Sequence, residues 1–123
     1  MIEYSYKTIH SLRHAKHRKV YNKFLIEGRR IVESALGCNA NIDIIFCSDD
    51  FLKENKPWVQ KHLREGTTIK TIEKKTLLKI SDTKSPQEIL AVCDIQKQNP
   101  IKLTIDKWIY LDKISDPGNM GTL

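Results

Sequence analysis

The run Phe24-Leu25-Ile26-Glu27-Gly28-Arg29-Arg30-Ile31-Val32-Glu33-Ser34-Ala35-Leu36 decides how the rest of this sequence is read. A short apolar run closed by glycine reads as a buried strand and a turn. The apolar residues then change period: Ile31, Val32, Ala35 and Leu36 recur at helical spacing, and Gly37 is placed to end that helix at C′. Strand, turn and helix in about a dozen residues are the opening of a layered α/β unit.

The same alternation continues downstream. Ile42-Asp43-Ile44-Ile45-Phe46-Cys47 reads as a second strand, and Ser48-Asp49-Asp50 closes it and offers an N-cap. Pro57 fits the first turn of a helix running to about Arg64 and carrying Trp58, Val59 and Leu63 on its apolar side. Thr67 to Ile72 alternates with period two, Leu77, Leu78 and Ile80 predict a short helix, and Glu88 to Ile95 is a further buried strand after a polar loop at 81–86. Gln96 to Pro100 is a polar break. Beyond it, Trp108-Ile109-Tyr110-Leu111-Asp112 reads as a strand of a new unit.

Upstream, residues 7–23 carry Lys7, Arg13, Lys16, Arg18, Lys19 and Lys23 without one acid. Ser11 could cap a helix there. The apolar periodicity is weak, so such a helix is expected to bury little. His10, His14 and His17 fall on one side of a continuous helix, a spacing compatible with zinc, but no nearby acid or cysteine completes a ligand set and no metal is expected. The whole chain has a net charge of +6 and a pI near 9.3. That excess favours a polyanionic partner through counterion release. The three cysteines Cys38, Cys47 and Cys93 form no Cys-x-x-Cys pair, which fits a reducing, cytoplasmic setting and argues against a disulfide framework. Cys47 and Cys93 lie in apolar runs and read as buried side chains, and Trp58 and Trp108 as packing residues. Glu27 is expected to cap or to pair locally with Arg29 or Arg30.

Three blocks together resemble one family. Tyr110-Leu111-Asp112-Lys113-Ile114-Ser115-Asp116-Pro117-Gly118-Asn119-Met120-Gly121-Thr122-Leu123 resembles the first motif of the SpoU (TrmH) family of RNA 2′-O-ribose methyltransferases. The run Phe24 to Leu36 is similar to the opening strand, turn and helix of that family's substrate-binding domain, and Ser85-Pro86-Gln87-Glu88-Ile89-Leu90-Ala91-Val92 to its closing loop and strand. One departure stands out: the family often has Gly after the Pro-Gln pair, where this chain has Glu88.

The resemblance implies an L30e-like three-layer α/β/α sandwich that binds RNA over residues 24–96, after a basic helical segment at 1–23. A linker at 97–105 would lead to the first strand and motif of a truncated α/β-knot methyltransferase domain at 106–123. It implies S-adenosylmethionine as cofactor of the full-length protein and none for this fragment. It also implies a homodimer through the missing knot and a monomeric fragment. The family's catalytic Arg would fall at position 125, so only Asn119 is carried over, as a supporting active-site residue, and the fragment is expected to be inactive. Arg13, Lys16, Arg18, Lys19, Lys23, Arg29 and Arg30 are the candidate RNA contacts, with ribosomal RNA the first expectation. The alternative is a stand-alone, non-catalytic RNA-binding protein of the L30e type, which would have no need of the Asp-Pro-Gly-Asn-Met-Gly tail.

Overall fold

The computed structural model describes residues 4–63, 66–81, 87–96 and 109–121. In chain order the elements are α1 (Tyr6–Ser11), α2 (Ala15–Tyr21), β1 (Lys23–Glu27), α3 (Arg29–Gly37), β2 (Ile42–Cys47), α4 (Asp49–Glu54), α5 (Lys56–His62), β3 (Ile69–Thr71), α6 (Lys74–Ile80), β4 (Ile89–Asp94) and α7 (Pro117–Gly121). The strands form one sheet in the order β1-β4-β2-β3. β4 lies antiparallel to both β1 and β2, while β3 runs parallel to β2.

Strand periodicity divides the core into two halves, one on each face of the sheet. Ile44, Phe46, Leu90 and Val92 point to one face and pack with Ile9 and Leu12 from the N-terminal helices and with Leu77 and Ile80 of α6. Ile45, Cys47, Ile89, Ala91 and Cys93 point to the other and pack with Val32 of α3, Phe51 of α4 and Trp58 of α5. Both faces being covered explains why β1, β2 and β4 read as largely apolar runs, whereas the exposed edge strand β3 reads as alternation. Cys47 and Cys93 are buried as expected, and burial first of all pushes each thiol up to about 11.

Local signals account for the helix boundaries. Ser48 Oγ accepts from Phe51 N at 3.0 Å and caps α4, and Pro57 sits in the first turn of α5. Gly37 does not occupy C′: α3 runs through it, and the left-handed residue is Asn39, at φ 52°. Asn can adopt that conformation because its short polar side chain bonds locally.

Two expectations are corrected. First, the 7–23 segment is not a surface helix that buries little. Ile9 and Leu12 are 2% and 1% exposed and belong to the main core. The weak periodicity arises because the segment is two short helices. α1 is capped by Ser5, whose Oγ accepts from Thr8 N, while Ser11 Oγ donates back to Thr8 O. Second, no strand forms at 109–112. Residues 109–116 have no regular structure, and Ile109 and Tyr110 are 87% and 89% exposed. An apolar run becomes a strand only beside a partner, and none of the four described strands pairs with it. Trp108, the 97–105 linker and the 82–86 loop lie outside the described residues.

Candidate nucleic-acid interface

The two ends of β1 separate the candidate cations into two groups, about 13 Å apart at ~3.3 Å per strand residue. At the first end stand α2 and the break before it. Lys16 and Lys19 are exposed on α2, as are Ala15 and Val20 on either side of them. Arg13 and Arg18 are half-buried. Arg18 Nη1 donates to Leu12 O at 3.3 Å and to Arg13 O. Those carbonyls are left without helical partners where α1 stops, so a guanidinium is well placed to satisfy them.

Lys23 does not join this surface. Its side chain is 12% exposed, and its ammonium lies 2.7 Å from Asp43 Oδ2 and 2.5 Å from Asp94 Oδ1. Tyr4 also donates to Asp43. A register shift in β2 between Ile42 and Ile44 places Asp43 at a bulge, where its carboxylate can reach β1. Lys23 is therefore withdrawn from the candidate RNA contacts, because two carboxylates already neutralise it. The electrostatics are consistent. Burial alone would lower the Lys23 pKa, but the hydrogen bonds to Asp43 and Asp94 outweigh it and raise it. The Lys23 hydrogen bond, then that of Tyr4, holds Asp43 below the usual carboxylate range. Burial, then Asp43, pushes the Tyr4 phenol up to about 12. Asp43 being depressed, the stability it contributes is complete above its unfolded pKa of about 3.9 and is lost as pH falls through its lower folded value. Asp43→Asn should therefore cost about 1 kcal/mol at pH 7, discounted for a carboxylate 40% exposed. Urea titrations should show that gap closing below about pH 4. A constant gap from pH 7 to pH 3 would remove the assigned role.

At the second end of β1, Gly28 has φ +105°, a backbone that side-chain-bearing residues rarely adopt, and a Cβ there would meet Gln87 Cγ at 3.3 Å. Gly28 N donates to Ile89 O at 3.0 Å. The Glu27 carboxylate does not serve as the local partner expected of it: it accepts from Ser81 Oγ and from Gln87 N, the latter at 3.1 Å. The opening block of the sequence and its closing block thus meet at Gly28 and Gln87. Arg29 and Arg30 are exposed at the start of α3, and Arg29 Nη1 donates to Asn55 Oδ1 at 3.2 Å. Together with Glu33, Ser34, Cys38 and His62 they edge an open cleft of about 680 Å³. Glu88 has a definite role: it accepts from Ser48 Oγ at 2.6 Å and pairs with Lys74, and the largest influence lowering its pKa is that lysine. It ties β4 to the cap of α4 and to α6, so this departure from the family pattern is absorbed by packing.

The histidines do not share one helix face. His14 is the N-cap of α2, so the helix breaks between His10 and His17. His10 stacks on Tyr6 and His17 on Tyr21. Among the described residues no group of three His, Cys, Asp or Glu side chains is placed to hold a metal. Trp58 is a packing residue, as expected, with Nε1 donating to Glu33 at 3.0 Å. Asn119 falls in α7, where Asp116 Oδ1 accepts from Gly118 N at 2.6 Å, and the Asn119 side chain lies outside the described residues. Sequence reasoning missed the Tyr4–Lys23–Asp43–Asp94 cluster. Its one signal was an acid inside the apolar run Ile42-Asp43-Ile44.

Residues 5–91 match the family of the MRM3-like substrate binding domain. The chain belongs to that family. The match agrees with the SpoU (TrmH) resemblance carried by the three sequence blocks. The chain is 30% identical over 108 residues to the 23S rRNA (guanosine(2553)-2'-O)-methyltransferase RlmP of Bacillus subtilis (strain 168), an alignment covering 88% of this chain and 40% of that protein. It is 30% identical over 118 residues to the mitochondrial rRNA methyltransferase 3 of Xenopus laevis, covering 88% of this chain and 27% of that one. Its fold is similar to that of the SpoU methyltransferase AviRb from Streptomyces viridochromogenes, solved with the cofactor AdoMet. The TM-score there is 0.66 at 15% identity, over 80% of this chain and 38% of that chain. The chain thus spans two fifths or less of the length of each of these relatives.

Proposed function

We propose that this chain is the RNA-recognition domain of an S-adenosylmethionine-dependent ribose 2′-O-methyltransferase acting on ribosomal RNA. The observation that carries the reading is the substrate-binding family match over residues 5–91. The net charge of +6 supports it, as do Lys16, Lys19, Arg29 and Arg30, exposed at the two ends of one strand. Such cations position an RNA backbone and carry little sequence information. The reading includes the finer fold. Helices on both faces of a mixed sheet support an L30e-like sandwich, with 106–123 the start of the methyltransferase domain and Asn119 a supporting residue there.

In this reading the methyl donor belongs to the full-length protein. When bound it supplies the transferred methyl group, and no described residue of this chain is assigned to hold it. Of the stretch that resembles the family's first motif, the structure describes Tyr110 to Gly121, and within it the Asp116 carboxylate accepts from Gly118 N. A ribose hydroxyl is a weak nucleophile at neutral pH and needs its proton removed or its charge stabilised. No described side chain is assigned that task. The full-length protein would be a cytoplasmic homodimer joined through its methyltransferase domain, and the isolated chain a monomer.

Filter binding of the 123-residue chain to ribosomal RNA transcripts, across a salt series, tests the reading. Binding that weakens steeply with salt, with no methyl transfer when the donor is added, is the expected result. Salt-independent binding or none, or methyl transfer by the chain alone, would overturn it.

A further inference from the structure

The outer edge of β1 carries a feature that cation counting does not reveal. Among the described residues β1 is an edge strand of the sheet, paired on one side only, to β4. Gly28 N donates to Ile89 O and Ile95 N to Asn22 O, so Asn22 and Gly28 are hydrogen-bonded positions of the antiparallel ladder. Such positions alternate. Phe24 and Ile26 therefore also face β4, and the N–H and C=O of Leu25 point the other way, out along the free edge.

Two clefts flank β1, one on each face of the sheet. One, of about 340 Å³, is lined by Leu12, Arg13, Arg18, Leu25, Glu27 and Ile80, among others. The second, of about 500 Å³, includes Ala40, Asn41, Cys93, Asp94 and Ile95 in its lining. Arg18 and Phe24 line both. The two largely apolar hollows thus share Phe24, which packs on the Cys93 face, and Arg18, whose guanidinium donates to two backbone carbonyls. An arginine fixed in this way has lost its rotamer freedom before any ligand arrives. Lys16 and Lys19 stand exposed on the same short helix, and the one acid in the second cleft, Asp94, is paired with Lys23.

We propose that an unpaired stretch of RNA crosses this edge, with one nucleobase in each cleft on either side of Arg18 and with Lys16 and Lys19 on the adjoining phosphates. The inference rests on the RNA-binding reading above and sharpens it, from backbone attraction to the recognition of exposed bases. Each part has a chemical reason. Bases splayed from a strand stack on aromatic and guanidinium planes. Apolar hollows suit their faces. The outward N–H and C=O of Leu25 offer a donor and an acceptor to a base edge. A duplex, whose bases are already stacked and paired, cannot use any of these.

The test uses the full chain and three RNA probes of equal length: a single-stranded oligouridine, the same strand made abasic, and a duplex. Fluorescence anisotropy should show the oligouridine bound about tenfold or more tighter than the abasic strand, at the scale of one stacked base. Arg18→Lys, which keeps the charge and loses the plane, should remove that difference. Arg18 also closes the end of α1, so this variant is checked for folding by circular dichroism. A second measurement on the unaltered chain is independent of it: the Leu25 amide resonance should shift with oligouridine and stay put with the abasic strand. Equal binding of all three probes with an unmoved Leu25 amide would overturn base recognition at this edge while leaving backbone-driven RNA binding intact. No binding to any probe would overturn both.

Discussion

Removing four exposed cations together, in Lys16→Ala/Lys19→Ala/Arg29→Ala/Arg30→Ala, should weaken ribosomal RNA binding by on the order of tenfold to a hundredfold at moderate salt. The signature is in the slope. Each phosphate contact contributes about 0.7 to 0.9 to the dependence of log K on log salt, so losing four should flatten it by about 3. These four are chosen because the structure leaves them exposed. Arg18 and Lys23 stay unaltered: one closes the break after α1 and the other sits between two carboxylates, so replacing either would mix folding with binding. Binding isotherms at four or five salt concentrations decide the matter. A variant with the parental slope would mean that these side chains do not touch phosphate.

Phe46→Ala should be the most damaging single substitution for folding among those considered. Phe46 is 1% exposed at the centre of the sheet, packs among Ile9, Leu12, Leu77 and Ile80, and meets the Tyr4 ring edge-on at 6.1 Å. Truncating a buried aromatic side chain costs about 3–5 kcal/mol, the lost transfer energy plus the cavity left behind. A domain of this size has about 5–15 kcal/mol in total, so the urea midpoint should fall to about four fifths of its parental value or lower, or the protein should fail to fold. Val20→Ala, at a side chain 69% exposed on α2, is the control and should stay within about 0.5 kcal/mol. A Phe46 variant as stable as the Val20 variant would mean the core is not packed as described.

Much of the fold was legible in the sequence because the signals were local. Three apolar runs and the alternating stretch 67–72 became strands, and Ser48 and Pro57 marked helix starts through capping and backbone chemistry. What the sequence did not disclose depended on distant partners. Ile9 and Leu12 looked like sparse apolar residues in a basic segment, and only the sheet face waiting for them makes them core. The run Ile109–Leu111 had every property of a strand except a neighbour. The candidate site divided in the same way. The charge of Lys16, Lys19, Arg29 and Arg30 needed no structure, but Lys23 looked equivalent to them in sequence. It was removed by Asp94, 71 residues away, and by an Asp43 that reaches it through a bulge.

The sheet order also governs when this domain can be made. The last of the four strands in sequence lies in the middle of the sheet, so β1 has no strand partner until β4 has been synthesised, and β2 has only the three-residue β3. A chain synthesised only as far as β3 can pair β2 with β3 alone, and the sheet can close only once β4 is available. Such non-local closure is slow and leaves apolar edges open to misassembly until it occurs. The fold of this domain therefore waits on the synthesis of a single six-residue strand.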